Sequence, residues 1–86
     1  MQYIVAVFKS RNETLYFANM FKMMGYNVGI INTPKEAGQA CGISVKFEKR
    51  LLPIAKQFLS SKPFRSFSGF FYVNEISYNR KTVEKI

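Results

Sequence analysis

The stretch Tyr3-Ile4-Val5-Ala6-Val7-Phe8-Lys9-Ser10-Arg11-Asn12-Glu13 decides the fold. Tyr3 to Phe8 is an unbroken run of β-branched, aromatic and small apolar residues, which reads as a buried strand. Ser10 and Glu13 then stand at capping-box spacing. The Ser10 hydroxyl can accept from the Glu13 backbone N–H, while the Glu13 carboxylate reaches back to the N–H of Ser10. Leu15, Ala18, Phe21 and Met24, widened by Phe17 and Met20, continue as one helical face. Met20, Met23 and Met24 read as core filler rather than a metal set. Gly25 stands where a helix needs a left-handed residue to end.

Working outward, Tyr26 to Asn32 reads as a second strand, stopped at Thr33-Pro34 because proline lacks the ladder donor. Lys35 to Gly42 is a loop of small residues. Ile43, Val45 and Phe47 alternate with Ser44 and Lys46 as a half-buried third strand. Leu51 to Leu59 is a second helix with Pro53 in its first turn. Phe67 to Val73 is a fourth strand. The order β-α-β-β-α-β predicts a ferredoxin-like α+β sandwich, a four-stranded antiparallel sheet with two helices on one face. One domain spans residues 1–74, and residues 75–86 are expected to be a polar C-terminal tail.

Composition narrows the function. The 86 residues carry 13 Lys and Arg, five acidic residues that are all Glu, one Cys and no His, for a net charge of +8. A second core does not fit this length. One Cys excludes an internal disulfide framework and a Cys-rich zinc site within the chain. Without His or Asp there is no Ser–His–Asp or Cys–His pair, no general base and no metal set, so the inventory argues against an independent enzyme. No cofactor is expected. No segment reaches the roughly 18 apolar residues of a membrane span. The opening residues lack the basic region of a signal peptide, so a cytoplasmic location and no membrane partner are expected.

Cys41 is the residue with chemistry. It lies in a loop, with Gly38 three positions before it and Gly42 directly after, where little surface is available to bury it. Gly42 is expected to let the backbone turn tightly beside the sulfur. In the predicted topology this loop lies at the end of the sheet where the first strand exits into the first helix. Cys41 should therefore sit near Ser10, Arg11 and the free N–H groups of the first turn, whose partial positive charge favours a thiolate. Lys9, Arg11 and Lys35 add positive charge, and Glu13 and Glu36 offset some of it. A partly exposed, reactive cysteine is the expectation, against the bland alternative of an inert small apolar residue.

The segment Thr33-Pro34-Lys35, followed by Ala40-Cys41-Gly42-Ile43-Ser44-Val45-Lys46-Phe47, resembles the selenium/sulfur carrier protein-like family, small bacterial domains. The layout matches from residue 3 to about 60, and Thr33, Pro34, Cys41 and Gly42 carry it. The resemblance implies that Cys41 holds sulfur or selenium as a persulfide or selenosulfide and passes it on. It also implies a donor protein such as a cysteine desulfurase. A carrier needs an accessible thiolate and no catalytic base.

Two further readings concern the surface. The charge could attract nucleic acid, but the basic residues are scattered and the signature of RNA-recognition modules is missing, so nucleic acid is not the expected partner. If one sheet face is left open, Phe70, Tyr72 and Tyr3 would form an apolar patch there, and a homodimer through that face is expected. That is the alternative to the carrier: a non-catalytic interaction module with an incidental Cys.

Overall fold

A computed structural model describes residues 1–86. The elements run β1 (Gln2–Phe8), α1 (Arg11–Met23), β2 (Gly29–Asn32), β3 (Ile43–Phe47), α2 (Leu52–Ser61), β4 (Phe67–Ser77) and β5 (Arg80–Lys85). Short 3-10 turns occupy Lys35–Ala37 and Lys49–Leu51. The strands form one antiparallel sheet in the order β2-β3-β1-β4-β5.

The sheet has five strands, not four, and the residues after Asn74 are not a loose tail. β4 continues to Ser77, and β5 returns along it with Val73 opposite Val83 and Phe71 opposite Lys85. The segment is polar because an edge strand meets water on its outer side, and its lysines discourage edge-to-edge pairing.

β1 is central, with β3 on one side and β4 on the other, so it is buried on both faces. Ile4, Ala6 and Phe8 point to the helical side. There they pack with Phe17, Ala18 and Phe21 of α1, Ala55 of α2, and Val45, Phe47, Leu51 and Phe70. Aromatic contacts tie this layer together, with ring centroids 5.1 Å apart for Phe8 and Phe17 and 5.2 Å for Phe21 and Phe47. Fully burying each such side chain contributes about 1.5–3 kcal/mol.

The inward face of α1 is Thr14, Phe17, Ala18 and Phe21, shifted from the stripe that apolar spacing suggested. Thr14 can face inward because its hydroxyl donates to the Ser10 carbonyl at 2.9 Å. Leu15, Met23 and Met24 are exposed as a result, so the latter two methionines are not core filler. The helix ends as its sequence indicated. Gly25 has φ +85°, and the N–H groups of Gly25 and Tyr26 reach the carbonyls of Lys22 and Phe21.

The other sheet face is also apolar: Tyr3, Val5, Val7, Phe71 and Val73 form a second buried cluster. Register explains which aromatics lie here. Tyr3 pairs with Val73 and Ile4 with Tyr72, so Tyr3 and Tyr72 point to opposite faces. Phe70 and Tyr72 pack on the helical side. The open-face patch of Tyr3, Phe70 and Tyr72 on which a homodimer was expected is therefore not formed. The β2–β3 loop crosses this face instead, packing Ala37 and Ala40 against the cluster, with Ile31 and Val83 at its margins. No helix is long and apolar enough to cross a membrane.

Candidate functional site

The loop that covers the second sheet face is the one that carries the thiol. It leaves β2 at Thr33, and the carbonyl of buried Pro34 accepts from Ala37 N–H at 3.0 Å, closing the 3-10 turn. Gly38 follows with φ +74°, a left-handed backbone that lets the chain reverse toward β1. Gly42 does not take that role: its φ is not positive, and a Cβ built on it would meet nothing within 4 Å. The turning glycine lies three residues before Cys41 rather than directly after it.

Cys41 is half-buried and carries a free thiol. Its backbone is fixed on both sides. The N–H donates to the carbonyl of Phe8 at 3.0 Å, and the carbonyl accepts from Thr33 Oγ1 at 2.5 Å. Thr33 Oγ1 also meets Ser44 Oγ at 2.6 Å, and Thr33 N–H donates to the Gly42 carbonyl at 3.0 Å. One threonine thus ties together Cys41, Gly42 and Ser44. Ser44 is fully buried under the loop although its strand alternation marks it as a polar outward position. It is tolerated there because Thr33 satisfies its hydroxyl.

The structure joins this loop to the start of α1 through Phe8. Ser10, two residues on, is the N-cap: its hydroxyl accepts from Glu13 N–H at 3.2 Å. The second half of the expected capping box is absent. Ser10 N–H donates to Ser66 Oγ at 3.0 Å, and Ser66 in turn donates to Glu13 through both its hydroxyl and, at 2.9 Å, its N–H. Arg65 N–H adds a further bond to Glu13 at 3.0 Å. Three donors arriving from the approach to β4 outcompete the single N–H of Ser10. The Ser66 hydroxyl above all holds the Glu13 carboxyl below the usual carboxylate range; burial opposes it, and the backbone bonds from Ser66 and Arg65 and the charge of Lys62 add to the lowering.

Of the six residues singled out in the sequence, Thr33, Pro34, Cys41 and Gly42 form one loop. Ser10 and Arg11 lie on the adjoining strand–helix junction, with Arg11 exposed at the first position of α1. Phe8, Ser44 and Ser66 also build the site. Ser44 could have been suspected from its place directly after Gly42-Ile43. Phe8 acts through its carbonyl and Ser66 from a distant segment, and neither leaves a local sequence signal. No cluster of three or more His, Cys, Asp or Glu side chains forms. The hollow lined by Tyr3, Val28, Ile31, Lys46 and Phe47 lies at the far end of the sheet and holds none of these residues.

A family model described as "Putative Se/S carrier protein-like" matches residues 3–66. The matched span runs from β1 to the residue before β4, so it includes the whole thiol loop and omits the β4–β5 hairpin. No curated protein and no solved structure matches the chain.

Proposed function

Because the chain belongs to this Se/S carrier protein-like family, we propose that Cys41 is its cargo-bearing residue, holding one sulfur or selenium atom as a persulfide or selenosulfide. The observation that carries the reading is the way Cys41 is held. Both of its backbone polar groups are bonded, to Phe8 and Thr33, while the residue as a whole is only half-buried. A carrier thiol needs a fixed position and open access, since its partners must find one sulfur atom repeatedly.

The chemistry is thiol exchange. The Cys41 thiolate attacks the terminal sulfur of a persulfide on a donor protein. The donor's S–S bond breaks as the Cys41–S bond forms. The electron pair leaves on the donor cysteine, which is released as a thiol after taking up the proton lost by Cys41. No net oxidation occurs, and no base on this chain is required. Delivery is the same step with an acceptor nucleophile in place of Cys41. A cysteine desulfurase is the class of donor that presents such a persulfide, and the exchange would take place in the reducing environment of the cytoplasm. In this reading β1 to β4 with α1 and α2 are a ferredoxin-like frame, since β3 lies between β1 and β2 and β1 between β3 and β4. The β4–β5 hairpin is an addition to it.

The test is transfer of label. After incubation with a cysteine desulfurase and radiosulfur-labelled cysteine, wild-type protein separated under non-reducing conditions should retain label that dithiothreitol releases. Cys41→Ser should retain none. Equal labelling of both would contradict the assignment.

A further inference from the structure

We infer that the end of the molecule bearing Cys41 is a docking face for an acidic protein surface. The inference rests on the carrier reading only for what that partner brings; the charge arrangement stands without it.

Four cations stand on the elements that meet at this end of the sheet. Lys9 directly follows Phe8, whose carbonyl holds the Cys41 N–H, and with Gln39 and Ala40 it lines a shallow depression beside the loop. Arg11 opens α1 on the other side of Ser10 and is exposed. Lys35 begins the 3-10 turn of the thiol loop itself. Lys85 arrives from β5, a strand that packs against that turn. Its chain lies across Gly69, where a Cβ would stand 2.7 Å from Lys85 Cε and 3.5 Å from Nζ. Gly69 pairs with Val7, at the same end of β1 as Phe8. The absent side chain at Gly69 is what lets the Lys85 ammonium lie over the sheet toward the loop.

The carboxylates are distributed differently. Glu48 follows β3 at the far end and pairs with Arg50 at 2.7 Å. Glu75 is bonded through its backbone to Met1, also at the far end. Glu84 pairs in register with Tyr72, so it faces the helical side. Glu13 lies at the same end as Arg11, but its carboxylate is taken up by donors from Ser66 and Arg65. Glu36 is the one other Glu there, within the loop, against four cations. Of the other nine cations, Lys22, Lys56, Arg65, Arg80 and Lys81 are spread over α1, α2, the approach to β4 and β5. Lys46, Lys49 and Lys62 lie over the rings of Tyr3, Tyr72 and Tyr16, and Arg50 pairs with Glu48. Lys9, Arg11, Lys35 and Lys85 make no such contact and no ion pair. A concentration of unpaired charge beside one reactive atom steers an oppositely charged partner toward that atom.

Protein is favoured over nucleic acid by the aromatics. Phe67, Phe70 and Tyr72 pack toward the helices, and Tyr3 and Phe71 are buried in the cluster on the other face. The sheet therefore offers no platform on which bases could stack.

The experiment compares the rate at which Cys41 attacks a dianionic disulfide, dithiobis(nitrobenzoate), with its rate on a cationic one, cystamine. In each case the thiolate forms a mixed disulfide and expels the other half as a thiolate. The anionic-to-cationic rate ratio should fall roughly tenfold between about 20 mM and 500 mM salt, as screening shortens the reach of the patch. A triple variant, Lys9→Glu, Lys35→Glu and Lys85→Glu, should lower the ratio at low salt and flatten its salt dependence. A ratio that salt and the triple variant leave unmoved would overturn the inference. Amide shift mapping with poly-L-glutamate as the probe should move Lys9, Arg11, Lys35 to Cys41 and Lys85. Shifts confined to Lys22 and Lys56 on the helices, or tighter binding of a single-stranded oligothymidylate, would also overturn it. A protein that shows the charge effect but never accepts label from a desulfurase would refute the carrier reading alone.

Discussion

The Cys41 N–H donates to the Phe8 carbonyl at 3.0 Å, so the thiol loop is tied to the last residue of the central strand. Phe8 is itself fully buried and packed against Phe17, which fixes where that carbonyl points. The position of the thiol is thus inherited from the core rather than set by the loop alone. Thr33 supplies the second restraint, on the Cys41 carbonyl.

Thr33→Val should therefore loosen the site. It leaves the Cys41 carbonyl and the buried Ser44 hydroxyl without their shared partner. Stability should fall by about 1–3 kcal/mol, the cost of leaving buried polar groups unpaired. The Cys41 amide should also exchange with solvent faster, while Thr33→Ser should restore most of both. Urea melts and hydrogen exchange check this, and a Thr33→Val protein as stable as wild type would refute the restraint.

The two glycines beside the thiol should respond differently to alanine. Gly38 has φ +74°, so a Cβ there is strained although it would meet nothing within 4 Å. Gly38→Ala should cost about 1–2 kcal/mol from the left-handed backbone alone. Gly42→Ala, at a position without that constraint, should stay within about 0.5 kcal/mol of wild type. Thermal melts of both variants give the comparison, and the reverse order would show that the loop turns elsewhere.

Glu13 should give the protein a specific acid sensitivity. Its folded carboxyl titrates below the ordinary range because Ser66 and Arg65 donate to it. Its contribution is therefore fully present above the unfolded carboxylate pKa of about 4.3 and is lost as pH falls through the lower folded value. Glu13→Gln should cost about 1 kcal/mol near neutral pH, a modest figure because the site is partly solvated. The gap between variant and wild type should close in acid. Denaturation midpoints from neutral pH down to about pH 3 test the sign.

Native alkylation provides a direct reading of the thiol. Cys41 should react with iodoacetamide faster than glutathione does near neutral pH, since a carrier thiol must be open to its partners. The residue is half-buried, in a loop tied through Phe8 to the strand that leads into α1. A slower rate would mark it as an inert packing residue.

Much of the fold was legible because local chemistry and tertiary structure agree. The run from Tyr3 to Phe8, the Ser10 cap, Gly25 and the first-turn Pro53 each act through short-range geometry that one sequence displays. What was not legible depends on partners distant in the chain. Residues 75–86 look like a polar tail because only pairing with β4 makes them a strand. Thr14 turns inward because a backbone carbonyl satisfies it. Tyr3 could not be assigned to a face without the register of β1 against β4. At the site, the Thr33-Pro34 step and the Cys41-Gly42 pair were readable from motif, and the tie of the loop to the end of β1 from topology. Glu13 was expected to cap Ser10 but binds Ser66, because a segment more than fifty residues away supplies better donors.

The most direct measurement is the intact mass of protein loaded anaerobically by a cysteine desulfurase and cysteine, or by a selenium-charged donor, and analysed without reductant. The wild type should gain the mass of one sulfur or one selenium atom, mapped to Cys41 and removed by dithiothreitol, and Cys41→Ser should gain nothing. A wild-type protein that stays at its unmodified mass while the donor itself is charged would contradict the carrier assignment.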